Sequence, residues 1–208
     1  NNASIAFAVV LAQYPETMPL SSPSQADIVS EGPVANAGGV SRLIAIFQCQ
    51  EPKEIGSIRS VSPYMADIAL GYDTIFASWG GCEKGIERIK EIGLNWLDAR
   101  QNPSAAFFRK QNIASPHNGF TSFEGLKKAS QSLGMRQVNQ FEGYQFVQPT
   151  TNNLQPTTSE IDINYYYPVK WVYEPESGNY LRYWNNKEMI DRNTAKQVTA
   201  KNVVLMKT

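Results

Sequence analysis

The chain has 208 residues, of which 42% are hydrophobic and 18% are charged, a balance typical of a globular protein with a sizeable core. Its 19 basic residues balance its 19 acidic residues, and no basic run of the kind that binds a phosphate backbone is present, which argues against nucleic-acid binding. The longest apolar stretch, residues 5–12, is too short to cross a bilayer.

The cysteines and the first residues bear on the compartment. The sequence starts at Asn1 without an initiator methionine, so we expect any signal peptide or membrane anchor to lie outside it. Neither Cys49 nor Cys82 stands in a Cys-x-x-Cys pair or beside the single histidine, and we therefore expect no metal site. We expect two small buried residues that end or follow core strands. A disulfide between them is the alternative in an oxidising compartment.

Strands and helices alternate as far as residue 137. Apolar and β-branched runs predict strands at residues 5–11, 26–31, 40–47, 55–61 and 73–79. N-cap signals and amphipathic spacing predict helices at residues 62–70, 83–92 and 122–133. Residues 102–120 are irregular and polar. Strands alternating with helices of this length predict an α/β (α+β) fold, with a mixed central sheet flanked by helices.

The composition changes after residue 137. Residues 150–159 are rich in Thr, Asn and Pro, and everything that follows has the two-residue alternation of strands. Strands are predicted at 161–173, with a break at Pro168, at 180–184 and at 202–206. We therefore predict an α/β domain over residues 1–137, a linker or long loop over 138–160, and a β-rich C-terminal portion over 161–208 that packs on the first.

Two arginines stand inside strand-like apolar runs. Because an unpaired guanidinium is costly to bury, Arg42 and Arg59 each need an anionic ligand, an internal acid or an exit to solvent. With Ser60 they are candidates for a phosphate or carboxylate clamp, since the planar fork of arginine binds such groups bidentately. The alternative is an internal network of ion pairs with Asp27 and Glu31.

Other residues are candidates for the same site. His117 lies in a polar loop with Asn118 and is a candidate general acid or base, or alternatively a residue that holds the loop. Arg109 would join it at the mouth of the site. Gly80 and Gly81 stand between a strand and a helix, where they would present backbone donors to an anion or form a tight turn.

Motifs of common enzyme classes are missing. No Gly-x-Ser-x-Gly elbow is present, which disfavours a hydrolase with a catalytic triad, and no Gly-x-Gly-x-x-Gly or Walker motif is present, which disfavours nucleotide binding. We expect no cofactor.

Aromatic residues crowd the C-terminal portion. They are Tyr165, Tyr166, Tyr167, Trp171, Tyr173, Tyr180, Tyr183 and Trp184. Alternation along the strands sends part of this set outward, where an aromatic strip would bind sugars, peptides or partner proteins. Packing against the α/β portion is the alternative.

Several separate motifs carry a family resemblance, and they lie at residues 24–31, 38–48, 56–60, 80–81, 115–118, 179–183, 191 and 202–204. Together they resemble the YerB-like family of bacterial lipoproteins, a family of unknown function. The resemblance covers nearly the whole chain and implies an extracytoplasmic envelope protein, secreted or membrane-anchored. Met18-Pro19 stands where the family usually has Arg-Pro, and an arginine expected near Ser62 is absent, which weakens an anion site that depends on them.

The N-terminal part is also similar to the LytR–CpsA–Psr phosphotransferases, which attach envelope polymers carried on polyprenyl pyrophosphate. Ser57-Ile58-Arg59 resembles the core of their Ser-Ile-Pro-Arg-Asp strand, and Gly80-Gly81 resembles their Gly-Gly helix segment. Ile44 and Ser60 occupy the positions of their metal-binding acids. A related fold would therefore keep the anion cradle without the chemistry.

The sequence thus predicts an extracytoplasmic, envelope-associated protein that binds an anionic ligand, either a phosphorylated lipid carrier or a glycopolymer. The alternative is a non-enzymatic module that holds an envelope protein partner and whose arginines are structural. A third reading, a metal-dependent phosphotransferase, is disfavoured by the missing acids. Whether the protein is an enzyme is left open.

Overall fold

The computed structural model describes residues 4–34, 38–141, 143 and 158–206. The strands in these ranges are β1 (Ala6–Ala12), β2 (Ile28–Pro33), β3 (Ser41–Phe47), β4 (Ile55–Gly56), β5 (Thr74–Ser78), β6 (Trp96–Asp98), β7 (Phe107–Arg109), β8 (Gly119–Thr121), β9 (Glu160–Ile163), β10 (Val169–Glu174), β11 (Asn179–Trp184), β12 (Lys187–Glu188) and β13 (Thr199–Ala200). The helices are α1 (Pro63–Gly71), α2 (Glu83–Glu91) and α3 (Phe123–Ser132).

A mixed central sheet has the strand order β2-β3-β1-β5-β6. Strand β1 is parallel to β5 and antiparallel to β3, and β5 is parallel to β6. Every residue of β1, β3 and β5 is buried, because helices α1 and α2 cover one face of the sheet while α3 and the C-terminal strands cover the other. The predicted fold class is confirmed.

The prediction for residues 102–120 was wrong. Strands β7 and β8 lie within this range and pair with β4 in a separate three-stranded sheet. The predicted strand at 55–61 is also divided, since only Ile55-Gly56 belongs to β4 and the next residues bond to the central sheet instead. Strands of two or three residues are too short to show a periodic pattern in a sequence.

The C-terminal residues form a second sheet, in the order β12-β11-β10-β9, with β13 paired to β11. The break at Pro168 falls between β9 and β10, as predicted. The predicted strand at 202–206 was wrong, because these residues form no strand and the pairing is made earlier, by Thr199-Ala200. Most of the predicted loop at 150–159 lies outside the described residues.

The two cysteines are not bonded to each other, and both side chains are exposed. The prediction that they are buried was wrong, because Cys49 follows β3 and Cys82 precedes α2, beyond the covered part of each element. Among the described residues, no helix has both the length and the apolar character to span a bilayer.

A buried ion pair joins the C-terminal sheet to the central sheet. The guanidinium of Arg182 on β11 lies 2.8 Å from the carboxylate of Glu31 on β2, and the two side chains are only 4% and 11% exposed. Arg182 also donates to the side-chain oxygen of Gln13, 2.9 Å away. The fully buried Asp191 adds a second junction, since its carboxylate accepts from the backbone and the hydroxyl of Ser24. The two parts of the chain therefore share a polar interior.

We expect Glu31→Gln to lower the free energy of unfolding by about 3–5 kcal/mol, because it leaves the buried Arg182 guanidinium without a counter-charge. Urea denaturation followed by tryptophan fluorescence measures this. The matched control is Glu160→Gln, which removes the carboxylate of an exposed pair with Lys170 and should leave the midpoint unchanged. Equal effects of the two substitutions would show that the buried pair does not hold the sheets together.

Candidate functional site

Residues 57–61, here called the wedge, lie between two chain segments at the carboxyl end of the parallel strands. The backbone N–H of Arg59 donates to the carbonyl of Val10 at 3.0 Å, and the Arg59 carbonyl accepts from the N–H of Trp79 at 3.0 Å. The wedge thus fills the gap where β1 and the chain leaving β5 separate. Ligand sites of α/β sheets lie at such carboxyl edges, and helices α1 and α2 both begin there.

Arg42 stands at the start of β3, opposite Ala12 at the end of β1, and therefore at this same edge. Its side chain is 6% exposed, and one terminal nitrogen donates to the Ser60 carbonyl at 2.5 Å and to the Ser60 hydroxyl at 3.1 Å. Burial, followed by the charge of Arg59, lowers the pKa of Arg42. Two guanidinium groups therefore share a desolvated region.

Arg59 is half-buried and donates one hydrogen bond, to the Pro116 carbonyl at 3.1 Å. Burial lowers its pKa, and Tyr14 opposes the effect. Four other arginines are paired with carboxylates: Arg88, Arg100, Arg136 and Arg182. Within the part of the chain that the structure describes, Arg42 and Arg59 have no such partner.

Unpartnered polar atoms concentrate at this edge. Among the described residues, six buried side-chain nitrogen or oxygen atoms have no hydrogen-bond partner. Four of them are the Nε atoms of Arg42 and Arg59, Oη of Tyr64 and Nδ1 of His117. Tyr64 is tied to Arg42 electrostatically, and His117 to Arg59. Since buried polar groups are nearly always bonded, such a cluster indicates a place where a ligand would supply the missing partners.

His117 lies within electrostatic reach of Arg59, which bonds to the neighbouring Pro116. Its ring centroid is 5.4 Å from that of Tyr14, and its backbone carbonyl accepts from the Ser57 hydroxyl at 2.6 Å. Burial lowers the pKa of His117, Arg59 lowers it further, and Glu16 acts in the opposite direction. The lowered pKa favours the neutral imidazole next to the Arg59 cation, and Nδ1 has no hydrogen-bond partner.

Arg109 and Asn118 bond to each other rather than to the arginine pair. The guanidinium of Arg109 donates to Oδ1 of Asn118 at 2.6 Å and lies 4.2 Å from the ring centre of Trp79. The amide of Asn118 also donates to the Lys110 carbonyl. These contacts hold the β7–β8 hairpin together, and among the described hydrogen bonds neither residue bonds to Arg42 or Arg59.

The Gly80-Gly81 pair forms a tight turn, which was the predicted alternative to a backbone site for an anion. Gly80 has φ +67°, and its N–H donates to the buried carboxylate of Asp98 at 3.0 Å. A Cβ on Gly81 would lie 2.5 Å from a methyl group of Val61, so close packing of the wedge requires glycine there. The Gly80 donor is therefore occupied, contrary to the predicted anion cradle.

Neither predicted acid pairs with Arg42 or Arg59. The carboxylate of Asp27 accepts from the backbone N–H groups of Gln48 and Cys49. Glu31 is an ion-pair partner, but of Arg182. Glu31 lies on the face of the central sheet that the C-terminal sheet covers. Arg42 lies on the opposite face, together with Ile44 and Ile46, where α1 and α2 cover the sheet.

Tyrosines complete the surroundings of the arginine pair, and sequence reasoning missed their role. Tyr14 follows β1, and Tyr64 lies in the first turn of α1, packed over Gly32 so that a Cβ there would fall 2.8 Å from its hydroxyl. The Tyr14 ring lies 6.4 Å from that of Tyr167, which comes from the C-terminal portion. The only available signal was the run of three tyrosines before β10.

Metal-binding groups and cavities are the other features of the described residues that bear on a site. In the described ranges, no group of three or more His, Cys, Asp or Glu side chains is placed to hold a metal ion. An open depression of about 490 Å³ is lined by Glu16, Met18, Lys110 and Arg192 among others, and Glu16 connects it to the surroundings of His117.

The chain matches two models of a family described as "protein of unknown function (DUF3048)", the N-terminal domain over residues 1–136 and the C-terminal domain over residues 160–208. The chain belongs to this family. The YerB-like resemblance is confirmed by a Bacillus subtilis protein named "Putative lipoprotein YerB", which is 26% identical over 206 residues. The match covers 96% of this chain and 61% of the relative, so the chain spans less than two thirds of that protein.

A solved structure agrees with the fold. The crystal structure of YerB protein from Bacillus subtilis superposes with a TM-score of 0.79 at 27% identity, covering 95% of this chain and 67% of that one. Both comparisons support a common architecture for the two portions. Neither names a ligand.

We expect stability to fall as the pH is lowered from 7.5 to 5.5, in part through His117. Its folded pKa lies below the ordinary value of 6.5, so the unfolded chain binds the proton first and the stabilising contribution, present above about pH 6.5, is lost below it. Denaturation of the wild type and His117→Asn at both pH values measures the difference. The two proteins should lose different amounts of stability; parallel losses would show that the imidazole is not perturbed.

Proposed function

We propose that this chain is an extracytoplasmic, envelope-associated protein that binds an anionic group at Arg42 and Arg59. The observation that carries the proposal is the uncompensated pair of guanidinium groups at the carboxyl edge of the sheet, each with an unpartnered buried Nε. Phosphate and carboxylate oxygens accept several charge-assisted hydrogen bonds at once, so such a group would satisfy both cations together.

The surroundings of the pair suit an anion. Ser60 has its hydroxyl and carbonyl on Arg42, which orients that guanidinium, and His117 presents an unpartnered nitrogen beside Arg59. Helices α1 and α2 begin at the same edge, and the positive ends of their dipoles favour negative charge. These features support binding and orientation of the anion, while a proton-carrying role for His117 stays a prediction.

The envelope location rests on relatives. The Bacillus subtilis relative carries the word lipoprotein in its name, and the family resemblance spans both portions of the chain. Anionic molecules of a bacterial envelope include phosphorylated lipid carriers and phosphate-bearing glycopolymers, and we propose these as the ligand classes. A metal-dependent phosphotransferase is not proposed, because the described residues offer no cluster of metal-binding side chains.

A second candidate function is an interaction module with structural arginines. It is favoured by the backbone carbonyls of Ser60 and Pro116, which accept hydrogen bonds from Arg42 and Arg59 and would tie the wedge to its neighbours. In this reading the aromatic residues of the C-terminal portion would hold an envelope protein partner. Only Tyr166 among them is largely exposed, at 66%, so most of these aromatic side chains are not open to such a partner.

The substitution Arg59→Met separates the two functions. If the arginine serves a ligand, replacing an uncompensated charge by an apolar side chain of similar length should leave the ligand-free protein as stable as the wild type, or more stable. Inorganic pyrophosphate should raise the melting temperature of the wild type, by the equivalent of about 2.7 kcal/mol at one hundred times its Kd, and should not raise that of the variant. Thermal unfolding at constant ionic strength measures both effects.

The matched control is Arg88→Met, which removes the same charge from a half-buried arginine paired with Asp67 and Glu91. This variant should keep the pyrophosphate response. A wild type that does not respond, together with a strong loss of stability in Arg59→Met, would refute ligand binding and support the structural role.

A further inference from the structure

The tyrosine segment, residues 165–167, runs along the border of the arginine pair. The N–H of Tyr166 donates to the Gly39 carbonyl at 2.9 Å and holds the segment near the start of β3. On one side Tyr165 lies within electrostatic reach of Tyr64, and on the other Tyr167 contacts Tyr14. The C-terminal portion thus supplies one border of the site, and the N-terminal portion supplies the charge.

The aromatic rings at this border meet at steep angles. Tyr167 stands at 88° to Tyr166, with centroids 4.9 Å apart, and at 71° to Tyr14. Tyr167 therefore forms no parallel wall with either neighbour of the kind that sandwiches a flat nucleobase. Rings set nearly at right angles form a corner, which fits a puckered ring with C–H groups on its faces and hydroxyl groups at its edge.

Polar groups suited to hydroxyls lie next to this corner. Nδ1 of His117 is buried without a partner, and the His117 ring contacts that of Tyr14. The carboxylate of Glu16 lies within electrostatic reach of both His117 and Tyr167, and it lines the depression of about 490 Å³. A neutral imidazole and a carboxylate can each accept a hydrogen bond from a hydroxyl group.

We propose that the anion bound by Arg42 and Arg59 is the phosphate of a sugar phosphate whose pyranose ring packs into the corner formed by Tyr14 and Tyr167. This inference rests on the proposed function and names its ligand class. The phosphate supplies the counter-charge for the two arginines. The ring extends from them along Tyr14, where Glu16 and His117 accept hydrogen bonds from its hydroxyl groups.

Calorimetric titration of the full chain with glucose 1-phosphate, inorganic phosphate and glucose at equal ionic strength tests the assignment. We expect glucose 1-phosphate to bind about three- to tenfold more tightly than inorganic phosphate, from the contribution of one aromatic contact. Tyr167→Ala should bring the two affinities together without changing that of phosphate. Tyr167→Phe keeps the ring and should keep the preference.

Two further variants distinguish a failure of the sugar assignment from a failure of the anion site. Tyr173→Ala removes a half-buried tyrosine that packs on Tyr180 in the C-terminal sheet, and it should leave both affinities unchanged. Arg59→Met should abolish binding of both phosphates. If the wild type binds glucose 1-phosphate and phosphate equally while Arg59→Met binds neither, the sugar assignment fails and the anion site stands. If the wild type binds neither, both proposals fail.

Two diesters, methyl glucosyl phosphate and a short-chain prenyl glucosyl phosphate, distinguish a glycopolymer from a lipid carrier as the source of the sugar phosphate. Equal affinities support a unit of a glycopolymer, and tighter binding of the prenyl ester supports a lipid carrier. Loss of binding for both diesters, with glucose 1-phosphate still bound, would overturn the assignment to either envelope ligand.

Discussion

The buried ion pair between Glu31 and Arg182 joins the C-terminal sheet to the central sheet. From the sequence, Glu31 is a candidate partner for the arginines of the central sheet. In the structure it pairs with Arg182 of the C-terminal sheet instead. Docking of that sheet places the tyrosine segment, residues 165–167, along the rim of the carboxyl edge. Strand alternation puts the Glu31 carboxylate on the opposite face of the sheet from Arg42. Among the described residues, Arg42 and Arg59 therefore have no carboxylate partner.

Much of the fold follows from local patterns. Strands β1, β3 and β5 are mostly apolar. Helices α2 and α3 have amphipathic spacing, and Gly93 and Gly134, both with positive φ, mark their ends. The short strands β7, β8 and β13 were missed because two or three residues carry no period. Their pairing partners, not their own sequences, make them strands.

The sequence reveals candidate site residues only where a residue stands out from its surroundings. Arg42 and Arg59 are conspicuous because a guanidinium interrupts an apolar run, and His117 because it is the single histidine. The partners of these residues could not be predicted in the same way. Tyr14 and Tyr64 look like ordinary aromatic residues in sequence, and Glu31 was assigned to the wrong arginine because a sequence does not show which face of a strand meets a distant sheet.

The carboxyl edge is built from residues far apart in the chain, so ligand binding there would be coupled to the packing of the two portions. A molecule that touches Tyr14 from the first portion and Tyr167 from the second would be gripped by both, so its binding energy would add to the adhesion between the portions. By reciprocity, loosening the C-terminal sheet would weaken the grip.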